Sequence, residues 1–362
     1  MPPEGQKGDK GDKPFYEGMG MAQTPDISEL LTGSMDLADY KDKWAYNEDY
    51  DCYSLEYVVY CENPVDPVKE CMNIYVPAAY MNADGTINET GEINGYTAQS
   101  APIIYKNGVG GYAEADASKI SDKTKEYLEQ GYVFVSPASR GKETQSEDGS
   151  YIGKSPTGLV DLKAGVRFLK ANDKVMAGDA NKIISIGTSA GGAMSALLGT
   201  TGNSEDYKVY LEEIGAVMDS TDDVYAAQVY CPITDLDHAD LAYEWMYADI
   251  LENLKTQFPD EYETYMEAYG SVSGDKKVEE SRKLLNPMNY IGTDKQADTA
   301  DHIRIRVGTE DGNTSLSVAA VLALALEDKT DSDVDYALVW AQPHGDADYE
   351  GELISWINSI CK

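Results

Sequence analysis

Ser189 lies in the run Gly187-Thr188-Ser189-Ala190-Gly191, directly after the apolar stretch Lys182-Ile183-Ile184-Ser185-Ile186. A serine on a sharp turn from strand into helix stands clear of the sheet, with the first helical N–H groups aimed at whatever its hydroxyl attacks. Only glycine-sized neighbours let strand and helix pass so closely, and Gly187, Gly191 and Gly192 provide them. A serine hydroxyl is a weak nucleophile until a base takes its proton. The same chemistry therefore calls for a histidine and for a carboxylate to orient it. His344, in Ala341-Gln342-Pro343-His344-Gly345, follows the last strand-like run and is the only histidine beyond residue 302. Asp311 follows the run Ile303-Arg304-Ile305-Arg306-Val307 within Gly308-Thr309-Glu310-Asp311-Gly312, with Glu310 as the reserve acid. The order Ser189, Asp311, His344, with one helix between acid and base, suits acyl transfer through a covalent intermediate. His238 and His302 are expected to be structural.

The oxyanion formed in such a reaction needs N–H donors. Ala190, directly after the nucleophile, is one. The other is expected from the glycine-rich run Asn107-Gly108-Val109-Gly110-Gly111-Tyr112, where Gly108, Val109 and Gly110 are all candidates.

These residues need a scaffold, and the pattern around them alternates between strand and helix. Strand-like runs cover 57–60, 72–76, 102–105, 132–135, 182–186, 225–229, 303–307 and 336–340. Helical spacing covers 118–129, 157–171, the segment after Ser189, 318–326 and 353–360. Such alternation predicts an α/β protein with a doubly wound, mostly parallel sheet. Between 234 and 299 the chain turns acidic and tyrosine-rich, punctuated by Pro259 and Pro287. That stretch is expected to be a helical lid inserted over the C-terminal edge of the sheet. The expected division is a flexible tail over 1–25, a core from 26–233 and 300–362, and the lid over 234–299.

Composition excludes several functions. The net charge is −35, from 64 acidic against 29 basic residues. A surface of that sign repels nucleic acid and anionic lipid. No apolar run approaches the roughly 20 residues of a membrane span. No signal peptide is visible, and the polar opening through Lys13 suits a spacer, which leans the expectation towards the extracytoplasmic side. Five cysteines do not make a disulfide framework. Cys61 and Cys71 flank a turn and either bridge or stay as thiols. With no C-x-x-C or H-x-x-x-H spacing, neither metal nor cofactor is expected.

The elbow Gly-Thr-Ser-Ala-Gly-Gly-Ala, the run Tyr230-Cys231-Pro232-Ile233-Thr234-Asp235-Leu236-Asp237-His238-Ala239-Asp240, then Ala242-Tyr243-Glu244-Trp245, and Thr309-Glu310-Asp311 resemble the bacterial tannase and feruloyl-esterase-like branch of the α/β-hydrolases. The resemblance extends over about residues 50 to 362. It implies an α/β-hydrolase fold and a serine carboxylesterase acting on a small-molecule partner, an ester of a phenolic acid, often plant-derived. Tannases of that branch grip galloyl hydroxyls with a Lys, a Glu and an Asp. Glu244 matches the Glu, with Tyr243 and Trp245 beside it able to stack on a phenolic ring. The Asp position, two residues beyond the catalytic acid, is Asn313 here, and no residue is matched to the Lys. Galloyl and hydroxycinnamoyl esters both remain open. A serine peptidase of the same fold and a non-catalytic binding protein are the alternatives. The sequence assigns no oligomeric state.

Overall fold

The computed structural model describes residues 24–238, 252, 255–272, 275–293 and 296–362. The expected tail lies almost wholly outside these residues, as do Tyr243, Glu244 and Trp245.

A nine-stranded sheet forms the frame, in the order β1-β2-β3-β7-β6-β8-β9-β10-β11. Its strands are β1 (Ala45–Asn47), β2 (Cys52–Val59), β3 (Cys71–Pro77), β6 (Ile103–Lys106), β7 (Val133–Pro137), β8 (Ile183–Thr188), β9 (Ala226–Tyr230), β10 (His302–Gly308) and β11 (Asp333–Val339). A small hairpin, β4 (Glu92–Ile93) and β5 (Tyr96–Thr97), stands apart. β1, β2, β3 and β7 pair antiparallel, whereas β7, β6, β8, β9, β10 and β11 run parallel. The central parallel strands β6, β7, β8 and β9 are covered on both faces, which is why they are mostly apolar runs rather than alternating ones. β10 instead alternates Ile with Arg304 and Arg306, and β11, at the edge, is largely half-buried. Every residue of β7 and β9 is buried, and β8 is buried except for Thr188 at its end.

Among the described residues the α-helices with full bounds are α1 (Asp122–Glu129), α2 (Thr157–Ala171), α3 (Ala190–Thr200), α4 (Lys208–Glu213), α5 (Pro259–Val272), α6 (Lys276–Leu284), α7 (Leu316–Lys329) and α8 (Glu352–Cys361). α1 is shorter than its sequence pattern, because Ser121 caps it: a reciprocal pair with Thr124 fixes the first turn at Asp122. The segment between β9 and β10 does contain helices, α5 and α6. Pro259 opens α5, a position where the missing N–H costs nothing, directly after the helical turn at 255–257 ends before Phe258.

Strand order reverses at β6. The chain leaves β6 for β7 on one side, then returns to lay β8 on the other. In open α/β sheets the crevice at the carboxyl ends of such strands is where ligands bind. Here it is flanked by the loop after Lys106 and the turn at Ser189.

Candidate active site

Ser189 has φ 60 and ψ −121, a region that a non-glycine residue enters only under strain. The close packing around it explains what holds it there. A side chain at Gly187 would fall 2.1 Å from the Gly191 carbonyl oxygen, and one at Gly192 would fall 2.3 Å from that of Tyr230. The Ser189 N–H donates to the Tyr230 carbonyl (3.0 Å), which ties the turn to the end of β9. Ala190 is the first residue of α3, so its N–H has no acceptor within the helix.

Asn107, fully buried, pins the glycine-rich loop to this turn. Its Nδ2 donates to the carbonyls of Ile186 and Gly191 (both 3.2 Å) and to Ser195 Oγ (3.1 Å). Its Oδ1 accepts the Val109 N–H at 3.3 Å. The Val109 N–H is thus engaged within the loop, and Gly108 and Gly110 on either side of it are half-buried.

At the far side of the turn, the Asp311 carboxylate meets His344 Nδ1 with both oxygens, at 2.9 and 3.0 Å. Asp311 Oδ1 also accepts the N–H groups of Asn313 (2.8 Å) and Thr314 (2.7 Å). Burial alone would raise the Asp311 pKa, but the His344 bond and these two N–H groups outweigh it and hold it below the ordinary carboxylate value. Glu310, the reserve acid, is exposed, and its N–H donates to the Gln342 carbonyl (3.0 Å). Asn313 is exposed beside the acid.

Cys231 lies against His344, next to Tyr230, whose carbonyl accepts the Ser189 N–H. Its Sγ lies 3.9 Å from His344 Nε2 and donates to the Gly345 carbonyl at 3.4 Å. Its backbone carbonyl accepts from Thr314 Oγ1 at 3.1 Å. Burial pushes its thiol pKa up to about 12. The Cys231, Asp311 and His344 donor atoms lie within 4.8 Å of one another. A cation there would have to break the Nδ1–Asp311 contact and deprotonate a thiol whose pKa is that high.

Asp346 and Asp348 anchor the loop that carries His344. Asp348 accepts both Arg304 Nη atoms (2.8 Å each) and the Tyr230 hydroxyl (2.6 Å). Asp346 receives Lys106 Nζ at 3.1 Å and the Thr188 hydroxyl. Nothing in the sequence pattern singles out Cys231, Asn107, Thr188 or Asp346. Their one signal is adjacency to the residues that do stand out.

The other histidines sit elsewhere. His302 opens β10, at the opposite end of the sheet, between Tyr225 and Asp333 (3.1 and 3.2 Å). Exposed His238 contacts Asp235 at 2.9 Å. All five cysteines are free and buried, so Cys61 and Cys71 are not bridged. No helix among the described residues is long and apolar enough to cross a membrane.

The comparisons agree with this architecture. The tannase of Fusobacterium nucleatum superposes with a TM-score of 0.71 at 30% identity, over 86% of this chain and 95% of that one. The tannin acyl hydrolase of Lactobacillus plantarum gives 0.70 at 26%, over 86% and 94%. A tannin acyl hydrolase in complex with ethyl gallate gives the same values. No match was found among curated proteins. Fold and likeness together define an ester hydrolase with the α/β-hydrolase fold, of the tannase and feruloyl-esterase-like branch. Residues 96–311 match the BD-FAE family model, and the chain belongs to that family.

Proposed function

We propose that the chain is a serine carboxylesterase for esters of phenolic acids, with Ser189 as nucleophile, His344 as base and Asp311 as the group that orients it. The observation that carries this reading is the two-oxygen contact of Asp311 with His344 Nδ1. It leaves Nε2 as the ring nitrogen on the side of Cys231, whose neighbour Tyr230 holds the Ser189 N–H.

The steps follow from that arrangement. Ser189 Oγ attacks the ester carbonyl as His344 Nε2 takes its proton, and Asp311 stabilises the imidazolium that forms. The oxyanion is met by the Ala190 N–H and by Gly108 or Gly110, donors on rigid backbone that need no reorganisation. Collapse expels the alkoxide, which takes the proton back from His344. A water then repeats the sequence on the acyl-enzyme, releasing the acid and restoring Ser189.

The phenolic substrate class is supported by relatives whose structures hold ethyl gallate and 3,4-dihydroxybenzoate. In this reading the segment after Thr234 is the lid, with Glu244 accepting a phenol hydroxyl and Tyr243 and Trp245 stacking on the ring. Asn313, a neutral group at that position, favours hydroxycinnamoyl over galloyl esters. The test is hydrolysis of methyl ferulate, methyl gallate and p-nitrophenyl acetate, alongside fluorophosphonate labelling. Ser189→Ala is expected to lose turnover by a factor of about 10⁶ together with the label. Turnover or label surviving in that variant overturns the serine mechanism. A gallate-to-ferulate ratio above one overturns the acyl preference.

A further inference from the structure

We propose that Asp346 is a positioning residue that locks the oxyanion loop, the nucleophile and the base into one register. The inference rests on the serine mechanism proposed above and adds to it a part that does not touch substrate. Three segments must converge for the reaction, and each has a residue on this one carboxylate or in its chain. Lys106, the last residue of β6, directly precedes Asn107 and the oxyanion loop, and its Nζ donates to Asp346 Oδ2 at 3.1 Å. Thr188, the last residue of β8, directly precedes Ser189, and its hydroxyl donates to Asp346 Oδ1. Asp346 itself lies two residues after His344. The contacts span 240 and 158 residues of sequence and meet on opposite oxygens of a single side chain.

The other anchors do not substitute for this one. Asn107 joins the oxyanion loop to the nucleophile turn but does not reach the base. Asp311 holds the imidazole ring by Nδ1, and Asp348 holds the far end of the base loop on Arg304 and Tyr230. Asp348 and Cys231 reach the Ser189 turn only by way of Tyr230 on β9, whereas Asp346 bonds Thr188, the residue before Ser189, directly. Gly345, between His344 and Asp346, has φ 154, a conformation open to glycine that leaves the loop a soft joint beside the base. Asp346 closes that joint with a charge-assisted O–H···O⁻ bond and an ion pair, the stronger class of hydrogen bond. Misplacing reacting groups by about 1 Å costs about 10²-fold in rate. A loose joint here therefore shows in turnover rather than in substrate binding.

The test compares Asp346→Ala, Asp346→Asn, Thr188→Val and Thr188→Ser on p-nitrophenyl acetate and methyl ferulate. Every rate is expressed per active site titrated with a fluorophosphonate, so that misfolded protein does not count. Asp346→Ala is expected to lower kcat by about 30- to 100-fold with KM within about threefold of wild type. Asp346→Asn, which keeps an acceptor for Thr188, and Thr188→Ser, which keeps the hydroxyl, are expected to recover most of the rate. Thr188→Val in the Asp346→Ala background is expected to cost little more, since both changes remove the same bond. Wild-type kcat per titrated site in Asp346→Ala overturns the proposal, and so do fully additive effects of Thr188→Val and Asp346→Ala. If Asp346→Ala does not fold, the remaining variants decide: a loss of kcat in Thr188→Val that is largely absent from Thr188→Ser and Asp346→Asn supports the clamp, and wild-type rates in Thr188→Val overturn it. Wild-type enzyme that turns over without taking the label would instead remove the serine mechanism, an outcome that no clamp variant can imitate.

Discussion

The Asp311 carboxylate is buried, which on its own favours the neutral acid, yet hydrogen bonds from three residues, His344, Thr314 and Asn313, keep it ionised. A lowered folded pKa means that its contribution to stability is complete above the unfolded value near 3.9 and is lost only as pH falls through the folded one. Asp311→Asn is thus expected to leave the pH dependence of unfolding unchanged above about pH 5 while cutting kcat by about 10⁴-fold, because the amide offers His344 the wrong donor pattern. Parallel pH titrations of melting temperature and of kcat check both halves. Thiols show the opposite balance. Burial is the largest influence on all five, raising Cys52, Cys71 and Cys231 to about 12 and Cys361 to about 11, with Cys61 higher still. A thiol reacts as thiolate. Ellman's reagent is expected to titrate no thiol in the native protein and all five after unfolding without reductant. Three after unfolding would mean that Cys61 and Cys71 are bridged after all. The sequence left that pair open because spacing across a turn cannot show which way two side chains face, and here Cys61 turns to Glu70 and Cys71 to the Val68 carbonyl.

Elements meet at the catalytic end of the sheet through a buried charge cluster. Glu70 precedes β3, Arg140 follows β7 and Asp161 lies in α2; Glu70 and Asp161 are fully buried and Arg140 nearly so. Arg140 takes Asp161 through two nitrogens, at 2.6 and 3.1 Å, and meets Glu70 at 3.2 Å with only one. One guanidinium cannot neutralise two buried carboxylates, so Glu70, desolvated and facing Asp161, is pushed up to about 8. For an acid with a raised folded pKa, the native state binds the extra proton between about pH 4.3 and the folded value. Stability therefore falls as pH rises through that window. Glu70→Gln is expected to flatten the fall in melting temperature between about pH 5 and pH 8 and to exceed wild type at the upper end. Identical slopes in the two proteins would show that Arg140 holds Glu70 ionised. Such clusters explain where sequence reading stops. The central parallel strands were legible because burial on both faces makes them mostly apolar runs, and the turn at Ser189 because strand, glycines and small-residue helix are contiguous. The pairing of His344 with Asp311 was legible from chain order. Arg140–Asp161, Thr188–Asp346 and Lys106–Asp346 join residues distant in sequence, and each member is of a type common on any protein surface.

Across the whole molecule the dominant quantity is the charge of −35. Three cations at the catalytic end do little to offset it there, because each is committed: Lys106 to Asp346, Arg140 to Asp161 and Glu70, Lys69 to Glu114 and Asp116. The site thus opens into a negative field, and an ester hydrolase turns a neutral ester into a carboxylate. That field opposes rebinding of the acid product and equally opposes any substrate that already carries a carboxylate. Salt shortens the reach of the field, to about 10 Å at 0.1 M and about 3 Å at 1 M, without altering contacts inside the site. Raising sodium chloride from about 20 mM to about 500 mM is accordingly expected to lower KM for a carboxylate-bearing phenolic ester such as chlorogenate several-fold. KM for neutral methyl ferulate should stay within about twofold, and inhibition by ferulate should tighten in step with the chlorogenate effect. Steady-state kinetics on the two esters, with ferulate as inhibitor, separates a field from a local contact. A KM that shifts equally for both esters would mean that the surface charge does not reach the carboxylate on the alcohol part of the bound ester and that salt acts on the fold instead.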